Sequence, residues 1–295
     1  MTVQRDDTEP EEYRGSRGQR TPPDYRSDPN FTWPQKVPWS ELGPDFAAAW
    51  GRANPKNPQP EGLEIVGQTG SGKTHLFIAM MQERQRERDG AAVFVATKQD
   101  DDIFRKLGWP ITDNLDKAHH EKWKQFIYWP RTSQIGRARN EYLDRKVNEL
   151  MADLWQPQDD LVVAFDEVGK VESLSAEAKA NMQMYWREAR SMGITPVGIK
   201  QRPQGALRDM HSETYWTAAF KPKDRADLER WAELFGARRD WMPVFDSLNR
   251  SRHEFILANP VHEEAYISWV DEPLRPVKAR KRGPRWLLGG GDAGR

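Results

Sequence analysis

Short apolar runs alternate with longer amphipathic stretches along the middle of the chain. The runs have the length and composition of strands that are buried on both faces: Leu63–Val66, Ala91–Ala96, Phe126–Trp129, Leu161–Phe165, Ile194–Ile199 and Glu213–Phe220. The stretches between them show helical spacing: Thr74–Arg88, Gly136–Trp155, Ser175–Met192 and Asp224–Phe235. Strands that alternate with helices form parallel βαβ units. The pattern therefore predicts an α/β fold with a mostly parallel β-sheet sandwiched by helices.

Other segments have less regular patterns. Leu42–Trp50 indicates a short helix, and Ile103–Lys124 indicates a helical but partly irregular stretch. Trp241–Ala258 indicates a hairpin or two short strands, because turn-forming residues interrupt it at Asn249–Ser251.

Both ends of the chain differ in composition from its middle. The first 30 residues have almost no aliphatic side chains, and the mean hydropathy of −0.89 is low for a compact protein. We therefore expect a disordered N-terminal tail at 1–35, a folded domain at 36–270 and a flexible basic C-terminal tail at 271–295. The aromatic segment Phe31–Trp39 fits either an extended strap anchored by its two tryptophans or a partly ordered linker. The basic tail fits either a phosphate-backbone contact or a solubilising end.

The bulk composition excludes several classes of function. The chain has 295 residues, no cysteine, and 45 basic against 45 acidic residues. Disulfides, thiolate zinc sites and cysteine nucleophiles are therefore excluded, and any basic binding surface must be local. The pair His119-His120 lacks the spacing of metal ligands. Because no apolar run approaches the ~18 residues of a membrane span, and residues 1–7 do not resemble a signal peptide, we expect a cytoplasmic protein with no membrane partner.

A phosphate-binding motif lies at Gly67–Thr74, where GQTGSGKT fits the pattern G-x-x-x-x-G-K-[ST]. The motif follows a predicted strand and opens a predicted helix, so backbone N–H groups and the positive end of the helix dipole converge there. We predict that Lys73 contacts the β- and γ-phosphates of ATP and that Thr74 holds Mg²⁺. The predicted nucleotide-binding residues are Gly67, Gln68, Thr69, Gly70, Ser71, Gly72, Lys73, Thr74 and His75.

An acidic pair, Asp166-Glu167, ends the clearest predicted strand. Such a pair alone is a common surface turn, but after a phosphate loop it is the expected second half of a nucleotide site. Asp166 would hold Mg²⁺ through water, and Glu167 would polarise the attacking water as a general base. The order of motifs indicates the branch of P-loop NTPases that has an extra strand between loop and acidic strand and hydrolyses ATP. The Asn-Lys-x-Asp motif of GTPases is absent.

The segment Arg190–Pro203, RSMGITPVGIKQRP, resembles the FtsK/HerA group of ring-forming DNA-pumping ATPases. The resemblance extends to GQTGSGKT, to VVAFDEV and to the strand Tyr215–Phe220, and it covers about residues 63–259. It implies a P-loop NTPase fold of the RecA/FtsK-HerA type. It also implies that Gln201 senses the γ-phosphate and that Arg190 is an arginine finger acting on a neighbouring subunit's ATP. Lys98 is similar in position to a lysine of the conjugative coupling ATPases in this group.

Three functions fit these observations. The first is a DNA-stimulated ATPase that moves or packages phage or mobile-element DNA as a hexameric ring, with ATP and Mg²⁺ as cofactors. A phage-encoded motor would act in the host cytoplasm. The second is an ATP-dependent switch that loads or regulates a protein partner at DNA, and the third is a terminase-like packaging ATPase without a nuclease. A motor would contact DNA through its basic tail and through aromatic and basic pore residues within Trp129–Arg145.

Overall fold

The computed structural model describes residues 28–51, 61–87, 90–106, 108–202, 208–259 and 263–273. The predicted N-terminal tail up to residue 27, the C-terminal tail from residue 274, and the proline of the Gln-Arg-Pro motif lie outside these ranges.

A ten-stranded sheet is the centre of the described part of the chain. Its strands are β1 (Gln35–Lys36), β2 (Gly62–Val66), β3 (Ala91–Val95), β4 (Ile111–Thr112), β5 (Gln125–Tyr128), β6 (Leu161–Phe165), β7 (Ile194–Lys200), β8 (Thr214–Phe220), β9 (Phe255–Asn259) and β10 (Glu264–Ser268). They lie in the order β1-β10-β9-β8-β2-β7-β6-β3-β5-β4. The run from β8 to β4 is parallel, and β9 is antiparallel to both β8 and β10.

Helices cover both faces of this sheet. They are α1 (Trp39–Gly51), α2 (Lys73–Glu87), α3 (Asp102–Lys106), α4 (Leu115–His120), α5 (Gly136–Leu154), α6 (Val168–Glu172), α7 (Ala176–Glu188), α8 (Arg208–Glu213), α9 (Arg225–Phe235) and α10 (Arg238–Ser247). Short 3-10 turns follow at Ala189–Met192 and Arg250–Arg252.

The alternation of side chains along each strand divides the core between the two faces. In β3, Phe94 packs with α1 and α2, whereas Val93 and Val95 pack with α5 and α7. A third cluster joins β8, β9 and β10 to α9 and α10 around the buried Trp231. Because both faces are covered, the parallel strands are mostly apolar, and the predicted α/β sandwich is confirmed.

Every strand predicted from an apolar run is present, with bounds that differ by at most one residue. The long helices also agree. Ser175 caps α7 by accepting a hydrogen bond from Ala178 N, and Asp224 caps α9 in the same way at Asp227 N. These strands and helices could be predicted because their length and periodicity are compatible with few other secondary structures.

Two predicted segments differ from the structure. Trp241–Ala258 contains no hairpin: α10 occupies its first half, and β9 forms its hairpin with β10 instead. Val244, Phe245 and Leu248 have helical spacing and pack beneath α9, although Pro243 interrupts the pattern.

Ile103–Lys124 is likewise not one helical stretch. It forms α3, the edge strand β4 and α4. The break falls at Gly108, which has a positive φ of 71°, and at Pro110, which cannot donate a backbone hydrogen bond.

The aromatic N-terminal segment is an extended strap, the first of the two alternatives. Its strand β1 pairs in parallel with β10. Trp39 is buried and begins α1, whereas Trp33 is 50% exposed and does not anchor the strap. Phe31 packs edge-on against Trp241 instead, with ring centroids 5.6 Å apart.

In the sheet, β7 lies between β2, which leads into the phosphate loop, and β6, which leads into the acidic pair. The strand that intervenes between loop and acidic pair in chain order, β5, lies on the far side of β3 instead. Among the described helices, none is long and apolar enough to cross a membrane.

Candidate active site

The carboxyl ends of β2, β7, β6 and β3 meet at one edge of the sheet, because these four strands are parallel neighbours. They lead to Gly67, Gln201, Asp166 and Thr97 respectively. Backbone hydrogen bonds join these ends: Gly67 N donates to Lys200 O over 3.2 Å, and Asp166 N donates to Val95 O over 3.0 Å. The edge is therefore fixed by the sheet itself, at the position where open α/β sheets bind ligands.

The backbone conformation of the phosphate loop depends on its glycines. A Cβ on Gly67 would lie 2.5 Å from Ser71 Oγ and 2.8 Å from Phe220 Cβ, so no larger residue fits there. Gly72 has a φ of 103°, which residues other than glycine rarely adopt. The loop ends at Lys73, where α2 begins with no acidic residue in its first turn. Unpaired N–H groups and the positive dipole end of α2 therefore make this an anion site.

The side chain of Lys73 contacts the phosphate loop that precedes it. Its Nζ donates to Gln68 O over 2.9 Å and to Gly67 O. Burial lowers the pKa of Lys73 to about 8, although the nearby Glu167 opposes this shift. The ammonium group is thus held close to the acidic pair.

Asp166 is 4% exposed, and the tip of β3 holds it in place. Its Oδ1 accepts hydrogen bonds from Thr97 N over 3.0 Å and from Thr97 Oγ1 over 2.8 Å. Burial raises the pKa of Asp166 to about 6, and the two Thr97 hydrogen bonds limit the rise. Its Oδ2 is buried and has no hydrogen-bond partner among the described residues. A buried carboxylate oxygen without a donor is a suitable ligand for Mg²⁺ or for a water that Mg²⁺ holds, so Asp166 fits the predicted metal.

Gln201 links the acidic pair to the phosphate loop. Its Oε1 accepts from Thr69 Oγ1 over 3.2 Å, and its side chain also hydrogen-bonds Glu167. Burial raises the pKa of Glu167, while Gln201, Lys73 and Lys98 each oppose the rise. A carboxylate with a raised pKa can accept a proton near neutral pH.

Most of the predicted site residues are thus brought together at this edge. Thr74 and His75 lie in the first turn of α2, and burial lowers the pKa of His75. Lys98 is exposed on the neighbouring loop, where it pairs with Asp101 at 3.1 Å.

Arg190 lies elsewhere. It precedes β7, and its Nη1 donates to the Tyr215 hydroxyl over 2.5 Å at the start of β8. Because β7 and β8 run towards the phosphate loop, Arg190 is at the opposite edge of the sheet.

Two residues near the site were not predicted. Thr97 orients Asp166, and its only sequence signal is its place directly after a buried strand. His253 has its Nδ1 3.1 Å from Ser71 O and packs beside Gly72. It comes from the turn before β9, and no motif marks it.

A cavity of about 210 Å³ opens beside the phosphate loop, on the β8 side. Gln68, Thr69, Gly70, Ser71, Phe220, Lys221, Lys223, Arg250, His253 and Glu254 line it. Its basic side chains make it suitable for an anionic ligand.

Solved structures share this fold. B204, the DNA-packaging ATPase from Sulfolobus turreted icosahedral virus, matches with a TM-score of 0.51 and 13% identity over 74% of this chain and 98% of its own. B204 from Sulfolobus turreted icosahedral virus 2, a genome-packaging NTPase in complex with sulfate, matches with a TM-score of 0.51 and 11% identity over 74% and 97%. The cytoplasmic domain of the type VII secretion ATPase EccC from Thermomonospora curvata matches with a TM-score of 0.50 and 14% identity over 80% of this chain but 28% of its own. No protein-family model and no curated protein sequence matches the chain significantly.

The glycine loop, the helix that follows it and the sheet edge define a P-loop NTPase fold. Within that class, the chain shares the fold of the matched B204 and EccC ATPases.

Proposed function

We propose that this chain is an Mg²⁺-dependent ATPase that moves or packages DNA of a phage or mobile element. In this proposal it acts as a hexameric ring in the cytoplasm, and residues 36–270 form its motor domain. The tails at 1–35 and 271–295 flank that domain, and the basic one is a candidate DNA contact.

The observation that carries the proposal is the position of β7 between β2 and β6. Because of this order, Gln201 has Thr69 on one side and Glu167 on the other. A side chain that touches both can respond to the γ-phosphate and to the attacking water. Small movements of Gln201 on hydrolysis would then pass into β7.

Each residue of the site has a proposed role. The backbone of Gly67–Thr74 and His75 binds the phosphates, and Lys73 neutralises their charge. Thr74 and Asp166 hold Mg²⁺, which supplies the positive charge that stabilises the transferring phosphoryl group. Glu167 accepts a proton from water. The cavity on the β8 side provides room for the nucleoside.

The nature of the cargo needs an experiment, because the fold is shared by proteins with different roles. B204 is described as a DNA-packaging ATPase, whereas EccC is a secretion ATPase. The ATP-dependent switch that acts on a protein partner is therefore the second candidate function. The similarity in fold to EccC, a secretion ATPase, favours this candidate.

The test measures ATP turnover by the full chain with Mg²⁺, with and without duplex DNA. A DNA motor should turn over ATP several-fold faster with DNA. A rate that does not respond to DNA would contradict the proposal and favour the protein-directed switch.

Glu167→Gln tests the catalytic assignment in the same assay. It should bind ATP normally but hydrolyse it at least about 10²-fold more slowly, because it removes the general base. The exposed Glu177 at the start of α7 supplies a matched control, since Glu177→Gln should leave turnover unchanged. Normal turnover by Glu167→Gln would refute the assignment.

A further inference from the structure

The hydrogen bonds that orient Asp166 continue away from the site. Thr97 donates to Asp166 through both its backbone N and its hydroxyl, and its own carbonyl oxygen accepts from Arg139 Nη2 over 2.8 Å. Arg139 is therefore bonded directly to the residue that holds Asp166.

The exposed Gln99 side chain strengthens this link. Its Oε1 accepts from Arg139 Nε over 3.4 Å, and its Nε2 donates to Thr132 O over 2.7 Å. Nearby, Trp129 Nε1 donates to Lys98 O over 2.6 Å. The tip of β3 is thus bonded on one side to the acidic strand and on the other to the segment that leads into α5.

That segment, residues 131–139, projects into solvent. Ile135 is 85% exposed, and the Arg137 side chain is 93% exposed. Arg131 is exposed and lies over the ring of Trp129, 5.1 Å from its centroid. Trp129 itself is 2% exposed, so it is not one of the aromatic pore residues expected within Trp129–Arg145.

The charge of the segment fits a polyanion. Residues 130–140 include three arginines and no aspartate or glutamate. The first acidic residue, Glu141, pairs with Arg137 at 2.6 Å. An arginine in an exposed pair of this kind can exchange its partner for a phosphate at little cost, because exposed ion pairs are weak.

We propose that residues 131–137 bind the nucleic-acid backbone and that Arg139 transmits this contact to Asp166 through Thr97. Arg139 is a positioning residue: it contacts neither nucleotide nor phosphate backbone, and it links the binding segment to the carboxylate that holds Mg²⁺. The inference rests on the proposed function, and it adds the route by which DNA would accelerate ATP turnover.

The first experiment measures the affinity of the full chain for labelled duplex DNA as a function of salt. The double variant Arg131→Ala/Arg137→Ala should bind more weakly, and the slope of log affinity against log salt should fall by about one for each arginine. Arg230→Ala is the matched control, since Arg230 is an exposed arginine that pairs with Glu233 at 3.5 Å on α9. An unchanged slope in the double variant would overturn the assignment of the segment. So would a change in oligomer size without a change in DNA binding, because the segment would then be a subunit contact.

The second experiment tests the link, using the ratio of ATP turnover with DNA to turnover without it. Arg139→Gln should keep its affinity for DNA but lose stimulation by a factor of about five or more. Arg139→Lys should retain part of the stimulation, because it keeps the positive charge but loses the planar guanidinium that bonds Thr97 O and Gln99 Oε1 through separate nitrogens. Gln99→Ala provides a second variant that leaves the fold intact, since its side chain is exposed, and it should also lower the ratio.

The outcomes separate the two proposals. Equal stimulation of wild type, Arg139→Gln and Gln99→Ala would overturn the link while leaving the DNA motor in place. A wild-type protein that DNA does not stimulate would overturn both. A loss of stimulation that is fully explained by weaker DNA binding would also overturn the positioning role of Arg139.

Discussion

The pKa values of single residues in the site are shifted because these residues are buried at a charged edge of the sheet. Lys73 and Glu167 each lose hydration, and each is partly compensated by the other's charge. Asp166 is more deeply buried, and its pKa rises despite two hydrogen bonds from Thr97. The pKa of each of these side chains is therefore shifted towards neutral pH, which is typical of functional sites.

The pKa of Lys73 gives a prediction at the residue scale. With a pKa of about 8 in the free protein, the ammonium is present at pH 7 and is lost as the pH rises through 8. Phosphate binding favours the charged form, so ATP binding takes up a proton above pH 8. The affinity for a fluorescent ATP analogue should therefore fall by up to about tenfold per pH unit between pH 8 and 9.5.

Lys73→Arg is the matched variant for this measurement, because guanidinium stays charged throughout the range. It should bind with little dependence on pH, and Lys73→Ala should not bind measurably. The same decline in wild type and Lys73→Arg would show that another group titrates.

At the scale of elements, a buried charge cluster joins β2 to β7. Glu64 is fully buried and pairs with Lys200, which is 4% exposed. His211 Nδ1 of α8 lies 2.9 Å from Glu64 Oε2. Although burial alone would raise it, the pKa of Glu64 lies below its usual value because Lys200 and His211 favour the ionised form. The cluster lies directly before Gln201, so it joins the strand that leads to the phosphate loop to the strand that leads to Gln201.

We expect Glu64→Gln to lower the free energy of unfolding by about 3–5 kcal/mol at pH 7, because it leaves Lys200 buried without a counter-charge. The double variant Glu64→Gln/Lys200→Met should recover most of this loss. Since the pKa of Glu64 is lowered on folding, the deficit of Glu64→Gln should shrink as the pH falls through that lowered pKa. Urea unfolding midpoints measure all of these values.

Glu254→Gln is the control for this prediction. Glu254 is also buried, but its partner Lys36 is 47% exposed and can be hydrated when the pair is broken. Glu254→Gln should therefore cost less. Equal losses in the two single variants would mean that the buried lysine is not the cause.

At the scale of the whole molecule, the nucleotide site and the predicted arginine finger Arg190 lie at opposite edges of the sheet. The nucleotide site is at the carboxyl ends of β2, β6 and β7, and Arg190 is at the other end, held by Tyr215. An arginine finger at this position would reach only the nucleotide site of another copy, through a head-to-tail contact of the kind that closes into rings.

Mixed assemblies test this trans role. Arg190→Ala and Glu167→Gln should each be nearly inactive alone, since an arginine finger contributes about 10³–10⁵ in rate. A mixture of the two should regain ATP turnover, because some interfaces combine an intact Glu167 with an intact Arg190. Arg187→Ala, an exposed arginine one turn earlier, should remain active alone. A mixture that stays inactive after assembly would contradict the trans role.

The sequence by itself determined the elements and most of the chemistry of this protein. Strands that are buried on both faces have continuous apolar runs, so β3 and β6 could be recognised without a structure. The phosphate loop and Asp166-Glu167 could be recognised because the residues that each of them needs are adjacent in the sequence and form short motifs. Helix α10 was missed because a proline and a turn obscured its spacing.

Only the tertiary structure decided which strand ends are neighbours. The insertion of β7 between β2 and β6 brings Gln201 to Thr69 and Glu167. Thr97, Arg139 and His253 reach the site through contacts between residues that are far apart in the chain. Such contacts depend on strand order and on side-chain conformation, and neither leaves a periodic or local signal in the sequence.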